Sequence, residues 1–426
     1  MTTRQATAYL GASFAVGVFA AFNSFTLTLW LAGFTSSYLV LGLLGNTRSF
    51  EGALVSPLFG LWSDRTWLGW LGRRRPFILV GGLVSAALLA LTPALSRWPL
   101  PAGLAALPGE LQVLFWPILA IFAFTFTFNT MDDVHKALLA DITTPHERNR
   151  LSAWSVVVLM LGQVVILVAG YVLWPTAVDA VAFLVAAGLI TAGVLVTVAG
   201  VREPEPAVWR APQTALVEVE ASGSARSLIR YRPAAVLCLV TFAYWSGVNA
   251  VLPLVSVYLR DILGATVGEA QLLPALLLLS TTVCAIPVGW LGSRYGKRRI
   301  LAAGYATMGA AALLGLVITT KEQGALVFLL AGIGNAASTV LTIPLLADLV
   351  PRERMGTASG VLAASGSVAA PLASVVAGAL ADAHGPRAIF ALMAAMIALA
   401  LGLLPATRGR SAGPPPAGAW EVASAP

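Results

Sequence analysis

Charge is what this 426-residue chain has least of. Only 11% of its residues are Asp, Glu, Lys or Arg, with three histidines and two cysteines. A soluble globular domain carries about a quarter of its residues as charges, so a water-facing fold is excluded. The two cysteines, Cys238 and Cys284, sit inside apolar runs and lack metal-type spacing, which excludes a disulfide framework and a zinc cluster and leaves them as packing residues. No nucleotide-binding loop or nucleophile triad is present. An enzyme is therefore not expected, nor is any cofactor or metal site. What the chain does have is apolar length: 58% hydrophobic residues and a mean hydropathy of +0.84 place it in the membrane.

A spanning helix needs roughly 20 predominantly apolar residues. Runs of that kind lie at 8–34, 38–62, 77–95, 112–141, 151–174 and 177–201, and again at 233–258, 269–291, 300–319, 325–349, 357–381 and 387–404. The expected fold class is thus an all-α polytopic membrane protein of 12 transmembrane helices. The charge- and proline-rich stretch 202–232 reads as a linker between an N-terminal bundle, 1–201, and a C-terminal bundle, 233–404. The Pro- and Gly-rich tail 405–426 reads as disordered.

The net charge of +7 does not point to nucleic acid, because the basic residues alternate by side. Twenty of the Lys and Arg residues outside the spans fall on the side of the termini, including Arg65, Arg73, Arg148, Arg202, Arg294 and Arg408. Four fall on the other: Arg97, Arg260, Lys321 and Arg387. The positive-inside rule then makes both termini cytoplasmic, with the lipid bilayer of a cell membrane as the surrounding partner.

The two halves repeat each other. "LLADITTPHERNR" (138–150) closes span 4 and "LLADLVPRERMG" (345–356) closes span 10. "GLWSDRTWLGWLGRRR" (60–75) follows span 2 and "GWLGSRYGKRR" (289–299) follows span 8. Such duplication is the trace of carriers that rock one bundle against the other. The loop after span 2 resembles the signature loop of the major facilitator superfamily, and the resemblance covers the whole chain. It implies two pseudo-symmetric six-helix bundles, the major facilitator fold. The long spacing between Asp64 and Gly72 resembles the version found in sucrose–proton symporters and their glycoside-carrying relatives. By that resemblance Gly60, Asp64, Arg65, Gly72, Arg73, Arg74, Asp141, Arg148, Arg150, Arg294, Asp348 and Arg354 form gating motifs, latches between the bundles that close the inner side. Ser293 stands where the second copy of the motif has an acidic residue.

Span 4 contains "NTMDDVHKALLAD" (129–141), ionisable groups within an apolar helix. It is similar to the sucrose-carrier pattern, with Lys136 in place of an arginine and Thr125 where that family has an aspartate. Span 2 carries Arg48 and Glu51 near its middle. Charges at that depth cost a few kcal/mol unless paired or hydrated. Spacing allows Arg48 with Glu51, Asp132 with His135 and Lys136, and Asp133 with Lys136. With His135 neutral, one carboxylate lacks a counter-charge, and a proton-coupling site is expected among Asp132, Asp133, His135, Lys136, Arg48 and Glu51. Asp132 is the first choice and Asp133 the second. The alternative is a static ion-pair lattice.

The second half has no charged residue well inside a span. Its depth polarity is neutral, in Trp245, Asn249, Asn335 and Thr339, joined from the first half by Asn23, Trp30, Asn129 and Gln163. Hydroxyls, amides and indoles suit a neutral polyhydroxylated solute. These eight are the expected substrate-binding residues. The expected function is proton-coupled symport of a sugar or glycoside by a monomer, the alternative a proton-driven exporter of drugs or other small organic solutes.

Overall fold

The computed structural model describes residues 2–49, 51, 59, 62–63, 66–104, 106–203, 231–351 and 354–408. Gly60, Asp64, Arg65 and residues 409–426 lie outside them, as does most of the interbundle linker; the start of the tail expected to be disordered is instead a 3-10 turn, Leu404–Thr407, with Thr407 accepting from Arg298 Nε (2.9 Å). Among the described residues eleven helices are long and apolar enough to cross a membrane. They are α1 (Thr3–Leu31), α3 (Arg75–Leu95), α4 (Gly109–Ile142), α5 (Pro145–Leu173), α6 (Ala180–Gly200), α7 (Arg232–Asp261), α8 (Val267–Tyr295), α9 (Lys297–Val317), α10 (Lys321–Ala347), α11 (Met355–His384) and α12 (Ala388–Leu403). The described start of α2 is Tyr38–Leu44.

Helices are the outcome because a hydrocarbon solvent offers no partner for backbone N–H and C=O groups, which a helix satisfies internally. Polar caps set several of the starts. Thr2 and Gln5 cap α1 reciprocally, Thr266 and Glu269 do the same for α8, and Asp179 caps α6. Glycines at positive φ, Gly296 (+97°) and Gly385 (+91°), make the sharp turns from α8 to α9 and from α11 to α12. Three helices depart from uniform α geometry. α1 widens into a π-helical turn at Phe22–Thr26. α7 breaks at residues 252–254 around Pro253, and α8 breaks after Leu272 at Pro274, where a missing N–H interrupts the ladder.

Close backbone approach organises each bundle. A Cβ on Gly17 would come within 1.9 Å of the Leu159 carbonyl oxygen and one on Gly162 within 2.3 Å of that of Phe14, so α1 and α5 cross backbone to backbone. In lipid, where apolar surface gains nothing by burial against apolar surface, such contacts supply the packing energy. In the C-terminal bundle α9 and α10 meet likewise at Gly304 and Ala337.

The two bundles meet chiefly in the half of the molecule away from the chain termini, here the far face. The end of α1 packs on the end of α7, the start of α2 on α11, and the start of α8 on α5. Asp382 of α11 accepts hydrogen bonds from Ser37 Oγ (2.7 Å), Tyr38 N (2.6 Å) and Leu39 N (3.0 Å), and so caps α2 from the other bundle. Gln271 of α8 accepts from Thr26 Oγ1 (2.7 Å) and from Trp174 Nε1 (3.0 Å). Asn46 donates to Ser374 Oγ (2.9 Å). Among the described residues, the hydrogen bonds that cross between bundles lie in this half or, for Thr282 with Met160, at mid-helix. The described state is closed at the far face.

Candidate functional site

α4 places Asn129, Asp132, His135 and Lys136 on adjoining turns, and the side chains diverge to different neighbours. Asp132, 4% exposed at its side chain, accepts from Arg48 of α2 and from Lys136 Nζ (2.9 Å). Lys136 lies 3.5 Å from Asp133 Oδ1 and is itself 66% exposed. The Arg48 guanidinium is held over the rings of Phe19 and Phe128, 5.7 and 5.6 Å from their centroids, which are stacked 3.6 Å apart. Asn129 donates to the Arg48 carbonyl (3.0 Å), tying α4 to α2 a second time.

This corrects the pairing expected from sequence spacing. Arg48 reaches across to Asp132 and not along its own helix to Glu51, because α2 and α4 cross closely enough for the interhelical bond. Asp132, expected to be short of a counter-charge, is held by two cations. Glu51 is buried, and its Oε2 has no hydrogen-bond partner. His135 turns away from the charges: its Nε2 lies 3.1 Å from Ser13 Oγ, its ring packs on that of Tyr9, and the Tyr9 hydroxyl donates to its carbonyl oxygen. The four form a bridge among α1, α2 and α4.

The residues expected at the solute separate into two groups. Trp30 is buried between Phe34 and Phe183, inside the N-terminal bundle, where the π turn of α1 directs it. Asn23 donates to the Gly45 carbonyl (3.0 Å), and Asn335 accepts from the Tyr244 hydroxyl (3.0 Å) while donating to Thr281 Oγ1 (3.2 Å). These two amides, like Asn129, are each tied to another helix, as small polar groups in lipid commonly are, while Asn23 Oδ1 has no partner among the described residues. Trp245, Asn249 and Gln163 remain half-buried and Thr339 exposed. Asn249 Nδ2 donates to the Trp245 carbonyl (2.9 Å), and the Thr339 hydroxyl donates to that of Asn335 (2.9 Å), which leaves other lone pairs for a solute.

The loop motifs also differ from expectation. Asp141, at the end of α4, accepts from Arg73 NH2 (2.7 Å) and Arg74 Nε (2.9 Å). Asp348 accepts from Lys297 Nζ (2.7 Å) and not from Arg294, which lies over the rings of Trp290 and Tyr295. Arg148 donates to Thr143 Oγ1 and the Ala140 carbonyl, Arg150 is exposed, and Arg354 begins α11. Among the described residues, then, Asp141 and Asp348 latch within a bundle and not between bundles, because motif loop and helix end belong to the same six-helix unit.

Glu203, just past α6 and unremarked in the sequence, is the hub of that loop. Its carboxylate accepts from the backbone N–H groups of Arg73 (2.8 Å), Arg74 (2.9 Å) and Arg75 (2.8 Å), an anion on the N-terminus of α3. Gly72, at φ +78°, is required here twice over, because a Cβ would also sit 2.9 Å from the Glu203 carboxyl carbon. Asp382 and Gln271 were likewise invisible as functional positions, since each serves a partner hundreds of residues away and no local pattern marks it.

Relatives share this architecture. The chain is 28% identical over 155 residues to an uncharacterised MFS-type transporter of Methanocaldococcus jannaschii, covering 36% of this chain and 40% of that one. It is 30% identical over 148 residues to the gentisate transporter of Corynebacterium glutamicum, covering 34% of this chain and 32% of that one. The matched stretches therefore span less than half of either curated relative. The nucleoside transporter NupG superposes with a TM-score of 0.72 at 12% identity, over 96% of this chain and 100% of its own. The family model of the Major Facilitator Superfamily matches residues 8–260 and 237–426, and the chain belongs to that superfamily of secondary transporters.

Proposed function

We propose that the protein is a proton-coupled symporter of a neutral polyhydroxylated solute, a sugar or glycoside, working by alternating access. The observation that carries this reading is the charge balance at mid-helix. Arg48 and Lys136 offset Asp132 and Asp133, so these four side chains carry no net charge that would select an ionic solute. The solute's other contacts come from Trp245, Asn249 and Thr339 of the second bundle, an indole for its C–H face and amide and hydroxyl groups for its oxygens. The face bearing the termini is cytoplasmic in this reading, on the distribution of Arg and Lys, and the far-face closure supports an inward-facing state.

A second reading is carriage of a small organic acid. It is favoured by the exposure of the Lys136 ammonium, a point charge that a solute carboxylate could share with Asp132 and Asp133, and by the similarity to a protein named a gentisate transporter. Uptake by proteoliposomes across a panel of mono- and disaccharides and gentisate, with and without an imposed pH gradient, separates the two. Gradient-driven accumulation of a saccharide is the expected result. Accumulation of gentisate alone, or uptake indifferent to the gradient, would overturn the first reading.

A further inference from the structure

We propose that Glu51 of α2 binds the coupling proton, and that Asp132 is the anchored member of an ion pair beside it and not the group that changes charge. The proposal rests on the proton-coupled reading above and names the site within it.

Three observations converge on Glu51. It is 8% exposed, and its Oε2 has no hydrogen-bond partner. An ionised carboxylate in that position would be desolvated without compensation, a cost of several kcal/mol. No cation faces it. Arg48, one turn earlier on the same helix, is committed to Asp132 and packed on the Phe19 and Phe128 rings. From α4, Lys136 is bound to Asp132 and Asp133, and His135 is turned to α1. α11, which packs on the start of α2, has Asp382 and His384 only, both at its far end, and α1 has no charge beyond Arg4.

The third observation is the neighbour Glu51 does have. The Thr125 hydroxyl of α4 neighbours its carboxyl group. The single hydroxyl proton of Thr125 is already directed to the carbonyl of Ile121 (2.8 Å), with that of Phe122 at 3.3 Å. Its oxygen therefore offers Glu51 an acceptor. A carboxylate has nothing to donate to it, whereas a carboxylic acid has one O–H. A protonated Glu51 can therefore donate to Thr125 Oγ1, which an ionised one cannot.

The same geometry couples that proton to the ion pairs. The protonated acid leaves Arg48 with Asp132. When the O–H bond breaks and the proton leaves to water, Glu51 becomes an anion at i+3 from Arg48, the spacing at which the two side chains meet on a helix face. Arg48 is then shared between Glu51 and Asp132, and the bond that ties α2 to α4 loosens. Protonation thus biases a two-state element.

The test uses the proton itself as the probe. Infrared spectra of the full chain in liposomes, titrated over pH, should show the C=O band of a buried carboxylic acid. Glu51→Gln should remove that band, while Asp132→Asn and Asp133→Asn should retain it. A band that survives Glu51→Gln and disappears in Asp132→Asn would overturn the proposal. Gln keeps the shape and neutrality of the protonated side chain, so folding should be retained. Should it not be, Thr125→Val supplies the second variant: it removes the acceptor and should shift the band's frequency, and an unshifted band overturns the assignment. Transport separates this inference from the functional reading. Wild-type uptake indifferent to a pH gradient sinks the coupled reading, whereas gradient-driven accumulation that persists in Glu51→Gln sinks Glu51 alone.

Discussion

Replacing Asp382 with alanine should open the far face. In the closed state its carboxylate takes three hydrogen bonds, 2.6 to 3.0 Å long, from Ser37 and from the first backbone N–H groups of α2 in the opposite bundle. Hydrogen bonds to a charged group contribute about 1.5–3 kcal/mol each when buried, but two of these three are exposed and salt-screened. A capping carboxylate at a helix N-terminus contributes about 1–2 kcal/mol. Taking about 2 kcal/mol for the whole contact, and noting that it exists only while the bundles touch, its loss multiplies the far-open population about 30-fold, at tenfold per 1.4 kcal/mol. The reporter is Leu254→Cys in a background with Cys238 and Cys284 replaced by serine. Leu254 is fully buried at the interface, beside Gly42 of α2. Alkylation of that cysteine by a membrane-impermeant maleimide from the far side should accelerate about 30-fold in Asp382→Ala and less in Asp382→Asn, which keeps one acceptor oxygen. A rate changed by less than about twofold would refute the view that Asp382 holds the bundles together, since the closed state would then lose nothing with it.

Asp132→Asn leaves the half-buried Arg48, packed on Phe19 and Phe128, without its anion, and should cost about 3 kcal/mol of stability, read as a lowered midpoint of thermal unfolding in detergent. Lys136→Ala should cost under about 1 kcal/mol by the same measurement, because the lysine is mostly exposed and Arg48 still holds Asp132, and Lys136→Arg should preserve activity. Glu203→Ala removes the anion from the start of α3 and should speed amide exchange at Arg73, Arg74 and Arg75 at least several-fold, with about 1 kcal/mol lost; unchanged exchange would show that the loop is held elsewhere. Gly17→Val should fail to yield monodisperse protein, since the new side chain meets the Leu159 carbonyl of α5 and the helices cannot separate without losing their contact.

Much of the architecture was legible without coordinates because the bilayer reads the chain locally. A run of apolar residues either spans or does not, and eleven of the runs expected as spans recur as helices among the described residues. The breaks in α7 and α8 were equally local, since Pro253 and Pro274 announce them, although the helix lengths alone hid them. The duplication was visible because its two copies are contiguous strings. Charge pairing was legible only within one helix, where Lys136 pairs with Asp132 and Asp133 as their spacing allows. Spacing offered Arg48 to Glu51 at i+3, but which pair forms depends on which neighbour lies across the helix crossing, and the crossing of α2 on α4 delivered Arg48 to Asp132. The same reason moved the orphan carboxylate from α4 to α2, buried Trp30 against Phe183, and made Asn129 and Asn335 partners of other helices. Asp382, Gln271 and Glu203 acquired their roles from atoms brought to them over 97 to 345 residues of chain. Partition into lipid is a property of each segment, and the sequence states it; the choice of partner is a property of the packed whole, and only the tertiary structure makes it.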